Sequence, residues 1–370
     1  MLAARVFSGV GAAMIMPVTL SVITASFPDE QRSTAIGTWT AVAGGGGMIG
    51  MYLSALLVDV ASWRWLFALP IVLVIVALTV GARAVPDSRA EVIGRFDVVG
   101  ALTSIVAVVA ATYALHEAPT LGWSDPIIVI VLVVAVVAAV VFIAWELRTR
   151  APLLNLRHFR TRGLSSGSAL LLVLFGVQGG VALVLYPYFQ VVLGWSGLLS
   201  TVALMPMALL MMAASGIAPK LADRIGRRAA MVTGLAVATA GLALLAALVS
   251  VDGGYVRVLP GLAAMGLGAG LAMTPSTESI TSALPRDEQG VASALNDLTR
   301  ELGSVLGIAL LGGLLAAGYQ HAMSPRLAGV PAQFADVARE GVANADAVAG
   351  TAGRHGAQIV AAAHESFVAG

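Results

Sequence analysis

The sequence predicts an all-α polytopic membrane protein with about ten transmembrane helices. Three observations predict it. Hydrophobic residues make up 58% of the 370 positions and charged residues 11%, against about 25% charged in an average soluble domain. Mean hydropathy is +0.91. The apolar residues fall in long runs separated by short polar segments. A chain so poor in polar side chains cannot cover a water-facing surface, so lipid is its main solvent.

Each run reads as a helix. Backbone groups in hydrocarbon must be satisfied within the segment, and these runs are too long and too uniformly apolar for barrel strands. The first covers 2–26 and stops at Phe27-Pro28-Asp29. The small residues at Ala25-Ser26 make a poor cleavage site, so a span is expected here rather than a removed leader. The second, 34–60, holds Gly44 to Gly47 and Gly50. The third, 65–83, ends on Arg83. Asp97 precedes the fourth, 98–115, which closes before His116-Glu117. Pro126 introduces the fifth, 127–145. "RHFRTR" leads into the sixth, 165–192, and the seventh, 198–218, stops at Pro219-Lys220. Arg227-Arg228 precede the eighth, 229–250. The ninth is 256–275 and the tenth 291–318. From His321 the text is alanine-rich with scattered charges and fits no span. An outside loop with short amphipathic helices is expected there, with "ESFVAG" opening a further span.

Orientation follows from loop charge. One set of alternate loops carries Arg32, Arg83, Arg89, Arg95, Arg148, Arg150, Arg157, Arg160, Arg162, Lys220, Arg224, Arg227, Arg228 and Arg286, two thirds of the 21 Lys and Arg. The opposite short loops carry Arg64 and Arg257. The positive-inside rule places the first set in the cytoplasm. There is no cysteine, so disulfides, thiolate metal sites and cysteine nucleophiles are excluded. A net charge of +1 argues against a nucleic-acid partner. HExxH and P-loop patterns are missing, and the five histidines lack ligand spacing. No enzyme, metal or cofactor is expected.

An internal repeat points to transport. "FPDEQRSTAIG" (27–37) recurs as "LPRDEQGVASA" (284–294), and each leads into a span with a four-spaced glycine pair: Gly46 and Gly50, then Gly303 and Gly307. Duplicated halves with a site between them mark secondary transporters. Glycines four apart share a helix face and allow close backbone approach, so Gly46 and Gly50 are expected at a helix contact. Arg5 near the start of the first span either faces a polar pathway or snorkels to the interface. "PKLADRIGRR" (219–228) reads as a short turn. In it Asp223 caps a helix or accepts from an arginine, Gly226 allows the turn, and Arg227 and Arg228 sit at headgroups. Asp297, Arg300 and Glu301 share one helix face, where Arg300 can pair with Asp297 and Glu301 can carry a proton. Gln178, Tyr186 and Gln190 on the sixth span are candidate substrate contacts. Glu278 is expected at the interface.

Taken together, the motifs resemble the major facilitator superfamily, and within it the fourteen-span drug:proton antiporters of the QacA/EmrB type. Arg5, Gly9 and Gly11 match that family's fourth-span R-x-x-x-G-x-G. Gly37, Gly46 and Gly50 match the first three glycines of its antiporter motif, where Met51 stands in place of proline and Ser54-Ala55 in place of Gly-Gly. Leu221, Ala222, Asp223, Arg224, Gly226, Arg227 and Arg228 match its loop motif, with Pro219 for the first glycine. The resemblance covers about 1–318. It implies that 1–83 is a remnant of the N-terminal half (spans four to six), 84–163 an inserted two-span region, and 164–370 the C-terminal half (spans nine to thirteen) with an extracytoplasmic tail from about 320. Spans one to three, with the carboxylate the family uses for proton coupling, have no counterpart. The implied function is proton-coupled efflux of amphipathic drugs across a bacterial cytoplasmic membrane. The expected partners are the lipid bilayer, an amphipathic small molecule and protons, with no nucleic acid, and the chain is expected to act as a monomer. In this reading the loop 219–228 gates the cytoplasmic side. Two other readings fit the same residues: a facilitator or symporter of a small metabolite, and a remnant that packs in the membrane without transporting.

Overall fold

The computed structural model describes residues 2–62, 64–84, 97–149, 152–285 and 288–369. Arg89, Arg95, Arg150 and Arg286 of the charge pattern lie outside them, as does the side chain of Arg5. Ten helices have the length and composition to cross a bilayer among the described residues. They are α1 (Leu2–Ser26), α2 (Asp29–Val60), α3 (Trp65–Ala84), α4 (Val98–Leu121), α5 (Pro126–Glu146), α6 (Arg162–Pro187), α7 (Gly197–Ile225), α8 (Arg227–Leu248), α9 (Gly254–Thr281) and α10 (Gln289–Arg326). Three shorter helices follow: α11 (Ala332–Glu340), α12 (Val342–Ala349) and α13 (Gly356–Ala369).

The apolar runs locate every span, but α2, α7 and α9 extend past them toward the arginine-rich end, and α4 and α10 toward the opposite end. Hydrogen bonding along a helix continues beyond the hydrocarbon wherever no proline or glycine stops it. One correction follows for 219–228. Lys220 to Ile225 belong to α7, and the turn is Gly226 alone, at φ 85. That left-handed value favours glycine. Asp223 is exposed in the last turn of α7 and caps nothing.

Lipid-facing surface is explicit. Ile71 to Val76 on α3 are all exposed, as are Val133, Val136, Val137 and Val140 on α5. The hairpin α4–α5 is closed at the arginine-rich end by Asp97, which accepts from Gly100 N at 2.8 Å and from Trp145 Nε1 at 3.0 Å. Glu146 is buried there and accepts from Leu154 N at 3.2 Å, pinning the segment that leads to α6.

The core lies in α6 to α10. In α7, α8 and α9 it is built on glycine contacts: a Cβ on Gly234 would press on Gly268 O and Ala272 N, and one on Gly241 on Gly261 O and Met265 N. α6 and α10 meet most closely. A Cβ on Gly303 would strike the Leu172 carbonyl and one on Gly307 the Gly176 carbonyl. α2 packs on α7 and α9 through Gly37, whose Cβ would sit 3.0 Å from Ser215 O and 3.1 Å from Pro219 Cγ, and through Gly45 against Met212. Here the expectation for Gly46 and Gly50 is not met, since among the described residues a Cβ on either would meet nothing within 4 Å. The contact face of α2 is the one bearing Gly37 and Gly45, and Gly46 and Gly50 point away from it. Gly46 and Gly303 stand at the same distance from the proline that opens each repeat. Equal position in the repeat therefore goes with unequal packing.

The short helices expected in the tail are present as α11 to α13. α10 continues to Arg326, and the three fold back on the ends of α6 and α10 remote from the arginine-rich side, so that the described residues of "ESFVAG" end α13 and open no separate helix. Tyr319, Met323, Ala338, Ile359 and Phe367 are buried in one cluster with Tyr188, Phe189 and Leu262. Tyr319 donates to Ala338 O at 2.8 Å. The alanines that made this stretch look featureless are its packing residues.

Gly307→Ala should lower the thermal unfolding midpoint of the purified protein in detergent, at a cost of about 1–3 kcal/mol from overpacking. Gly46→Ala should hold or raise it, since alanine is favoured over glycine in a helix by about 1 kcal/mol.

Candidate functional site

Two polar clusters lie where α1 and α2 meet α6 to α10. The first is at the arginine-rich end. Glu278 sits on α9, with its side chain only 12% exposed. Its Oε1 is 2.9 Å from Arg227 Nη2 at the start of α8. Its Oε2 accepts from Ser33 Oγ of α2 at 3.0 Å. Arg227 also donates to Ser282 Oγ at 3.3 Å. One carboxylate thus ties α2, α8 and α9 together. Beside it, Gly37 closes onto Ser215, Pro219 and Thr274, and Thr274 is fully buried. On the same side His158, in the turn Leu156–Arg160, lies 3.2 Å from Glu288, and Gln289 donates to Thr281 O at 2.9 Å.

Of the loop residues named from the sequence, only Arg227 joins this cluster. Arg224 and Arg228 are exposed like Asp223, so the positive-inside role suffices for them. Glu278 is more than an interface residue. The apolar run ends at 275, but the helix carries three more residues inward and turns the carboxylate toward α2. The sequence signal that could have found it is an acidic residue on a helix end opposite an arginine pair. Ser33 gave no signal of its own.

The second cluster is deeper. Ser33 and Trp39 are six residues apart on α2, about 9 Å along the axis. Arg300 on α10 lies with Cζ 4.5 Å from the ring centroid of Phe175 on α6 and 5.6 Å from that of Trp39 on α2. Its Nη1 is 3.9 Å from Asp297 Oδ1, with side chains 12% and 15% exposed. That distance is an ion pair but too long for a hydrogen bond. Both carboxylate oxygens of Asp297 are buried without a hydrogen-bond partner, as are Asn296 Nδ2, Ser293 Oγ and Thr40 Oγ1. Thr277 donates to Asn296 Oδ1 at 3.1 Å. The pairing of Asp297 with Arg300 expected from spacing is present, and Glu301, itself exposed, lies close enough for its charge to act on both. Trp39 and Phe175 were not found from the sequence, because contacts between rings on α2 and α6 and a guanidinium on α10 leave no local pattern.

The remaining candidates are dispersed. Gln178, half-buried, reaches Met211 Sδ at 3.8 Å. Tyr186 OH lies 2.5 Å from Thr201 Oγ1, and Gln190 is exposed in the π-turn Tyr188–Val192. Gln178 and Tyr186 lie on α6 and Gln190 in the turn after it, and the three make no common site. Gly9 and Gly11 face open space. Among the described residues no group of three or more His, Asp or Glu converges as a metal site would.

Comparison with known proteins fits this architecture. The chain is 32% identical over 325 residues to the multidrug resistance protein Stp of Mycobacterium tuberculosis, covering 88% of this chain and 60% of that protein. It is 35% identical over 317 residues to the puromycin resistance protein pur8 of Streptomyces alboniger, covering 83% and 62%. It is 30% identical over 377 residues to the tetracenomycin C resistance and export protein of Streptomyces glaucescens, covering 99% and 69%. The chain therefore spans about three fifths of the length of the first two. Residues 1–308 match the family model of the Major Facilitator Superfamily. With ten apolar helices, duplicated glycine-bearing spans and a polar seam between them, this multi-pass protein of the cell membrane belongs to the Major Facilitator Superfamily.

Proposed function

We propose that the chain serves in efflux of amphipathic drugs by alternating access, coupled to protons, in the manner of the fourteen-span drug:proton antiporters. The observation that carries this is the seam itself: α2 meets α7 and α9 across a polar latch at the arginine-rich end, and a buried Asp297–Arg300 pair lies deeper along the same seam. Relatives named for drug resistance and for export support the substrate class. In this reading 1–83 belongs to one half, 84–163 is the inserted hairpin, and 164–370 belongs to the other half. No bond of the substrate is made or broken.

The latch favours the state closed at the cytoplasmic end. Opening that end separates Ser33 from Glu278 and exposes Thr274. Among the described residues Asp297 is the carboxylate best situated to take a proton, because neither oxygen makes a well-formed hydrogen bond and its cationic neighbour Arg300 is held against two rings. A proton arriving there cancels the negative charge and weakens the hold on a cationic compound, which biases release to the outside. Arg5, Gly9 and Gly11 would belong to the fourth span of the family type, and the protein acts as a monomer.

Two measurements test this. In proteoliposomes under a pH gradient, an amphipathic cationic drug should drive proton flux, and Asp297→Asn should abolish that flux. Absence of flux with the unaltered chain sinks the antiporter reading. The chain has no native cysteine, so Thr274→Cys is a unique reporter. Adding Glu278→Gln should raise its labelling by an impermeant maleimide from the cytoplasmic side roughly tenfold, the population shift expected from losing a charge-assisted hydrogen bond of about 1.5 kcal/mol.

A further inference from the structure

We infer that the facing rings of Trp39 and Phe175 form a binding box for an organic cation, and that Arg300 is the plug that fills it when no substrate is bound. The inference rests on the efflux reading above and names the substrate class of the same seam.

The guanidinium is in an unusual position for a buried charge. Among the described residues it lies 3.9 Å from Asp297 and against two ring faces, one from each side of the seam, with the exposed Glu301 acting on it only through its charge. A guanidinium one helical turn from a carboxylate ordinarily makes short, paired hydrogen bonds to it. Here it lies against the rings, and among the described residues the carboxylate beside it has only the adjacent Asn296 amide, with no well-formed hydrogen bond to either oxygen. Two incomplete arrangements therefore coexist: a cation held by π faces, and an anion lacking a donor.

One event completes both. If another cation enters between Trp39 and Phe175, Arg300 swings along its flexible stem onto Asp297 and forms the hydrogen-bonded pair. Nothing is covalently changed, and net charge in the cluster rises by that of the ligand alone. The chemistry that suits the box is a flat or quaternary organic cation, whose diffuse charge gains from ring faces and loses little on leaving water. Anions are disfavoured by the same ring faces. The site is built to be reached and held. The Trp39 ring is oriented by its Nε1 donating to Thr19 Oγ1 of α1 at 3.2 Å. Trp39 also lines a groove between α1 and α2 with Thr34, Thr38, Val42 and Glu30, which places an acidic group at the mouth. Gln178 stands one turn from Phe175 on α6 with only a thioether as partner, a free polar handle beside the box. Because Trp39 is on α2 and Phe175 on α6, a bound cation bridges the two sides of the seam.

The test is equilibrium dialysis of tetraphenylphosphonium against the purified full chain. Removing a plug strengthens binding, whereas removing a ligand-binding arginine weakens it. Arg300→Gln should bind tetraphenylphosphonium roughly tenfold more tightly than the unaltered chain, as expected for a competing cation–π contact. Arg300→Lys, which keeps the charge but stacks less well, should move affinity the same way by a smaller factor. In the Arg300→Gln background, Trp39→Leu and Phe175→Leu should each weaken binding by roughly 3- to 30-fold. Unchanged or weaker binding in both arginine variants overturns the plug. Ring variants with undiminished affinity overturn the box. Efflux of an uncharged antibiotic that persists while tetraphenylphosphonium fails to bind any variant also overturns the box, yet leaves the efflux reading standing. Cation binding that follows the ring variants in a chain that transports nothing supports the box and removes the efflux reading.

Discussion

In hydrocarbon an apolar side chain gains nothing by exchanging lipid for a neighbouring helix, so helices associate through close contact of their backbones and through polar groups. The architecture depends on that constraint. α6 and α10 touch backbone to backbone at Gly176, Gly303 and Gly307, and α8 and α9 do the same at Gly234, Gly241, Gly261 and Gly268. Each glycine is a poor helix former, and each is placed where a single methyl group would force two backbones apart. The C-terminal set of spans is held this way as one packed body, with α1 and α2 applied to it along a narrower strip.

That strip carries most of the polar side chains described as functional. Its charge is arranged in two levels. At the arginine-rich end Glu278 satisfies both its oxygens with donors from α8 and α2, so it acts as a fastener. Deeper in, Asp297 has no donor and Arg300 is turned to aromatic faces. A fully satisfied group and an unsatisfied one behave differently in a medium of low dielectric. The first holds a geometry, and the second drives a change of partner. In the efflux reading proposed above, the contrast between Glu278 and Asp297 would be the physical difference between closing the seam and responding to what occupies it.

Much of this was legible in the sequence. Runs of some twenty apolar residues are forced by bilayer thickness, so all ten spans could be read. The repeat, the Asp297–Arg300 pairing and the turning role of Gly226 followed from spacing. What could not be read depends on which face meets which neighbour. Gly46 and Gly50 carry the same spacing as Gly303 and Gly307, but glycine spacing describes an opportunity for contact, and Leu172 and Gly176 supply the contact only in the second case. Glu278 was discounted because the apolar run ends three residues earlier, and an apolar run measures hydrocarbon, whereas the helix continues into the headgroup region. Arg300 meets Trp39 from far along the chain. The short helices of the tail were read, but their packing against α6 and α10 was not, because their buried residues are largely alanine, which gives weak periodic contrast.

α10 runs unbroken through 38 residues, from Gln289 to Arg326, about 57 Å at the usual helical rise. The hydrocarbon it crosses is about 30 Å thick. One end of this rod is anchored by Gln289 to the turn beside the latch, its middle carries Arg300, and its far end is embedded in the folded tail through Tyr319 and Met323. With α6 clasping it at Gly303 and Gly307, it has the form of a lever on a fulcrum near its centre. A few degrees of tilt imposed at the tail would shift its arginine-rich tip by about an ångström or more in the opposite sense. A load applied at one end of such a rod would reach the other mechanically, without having to pass through the loops.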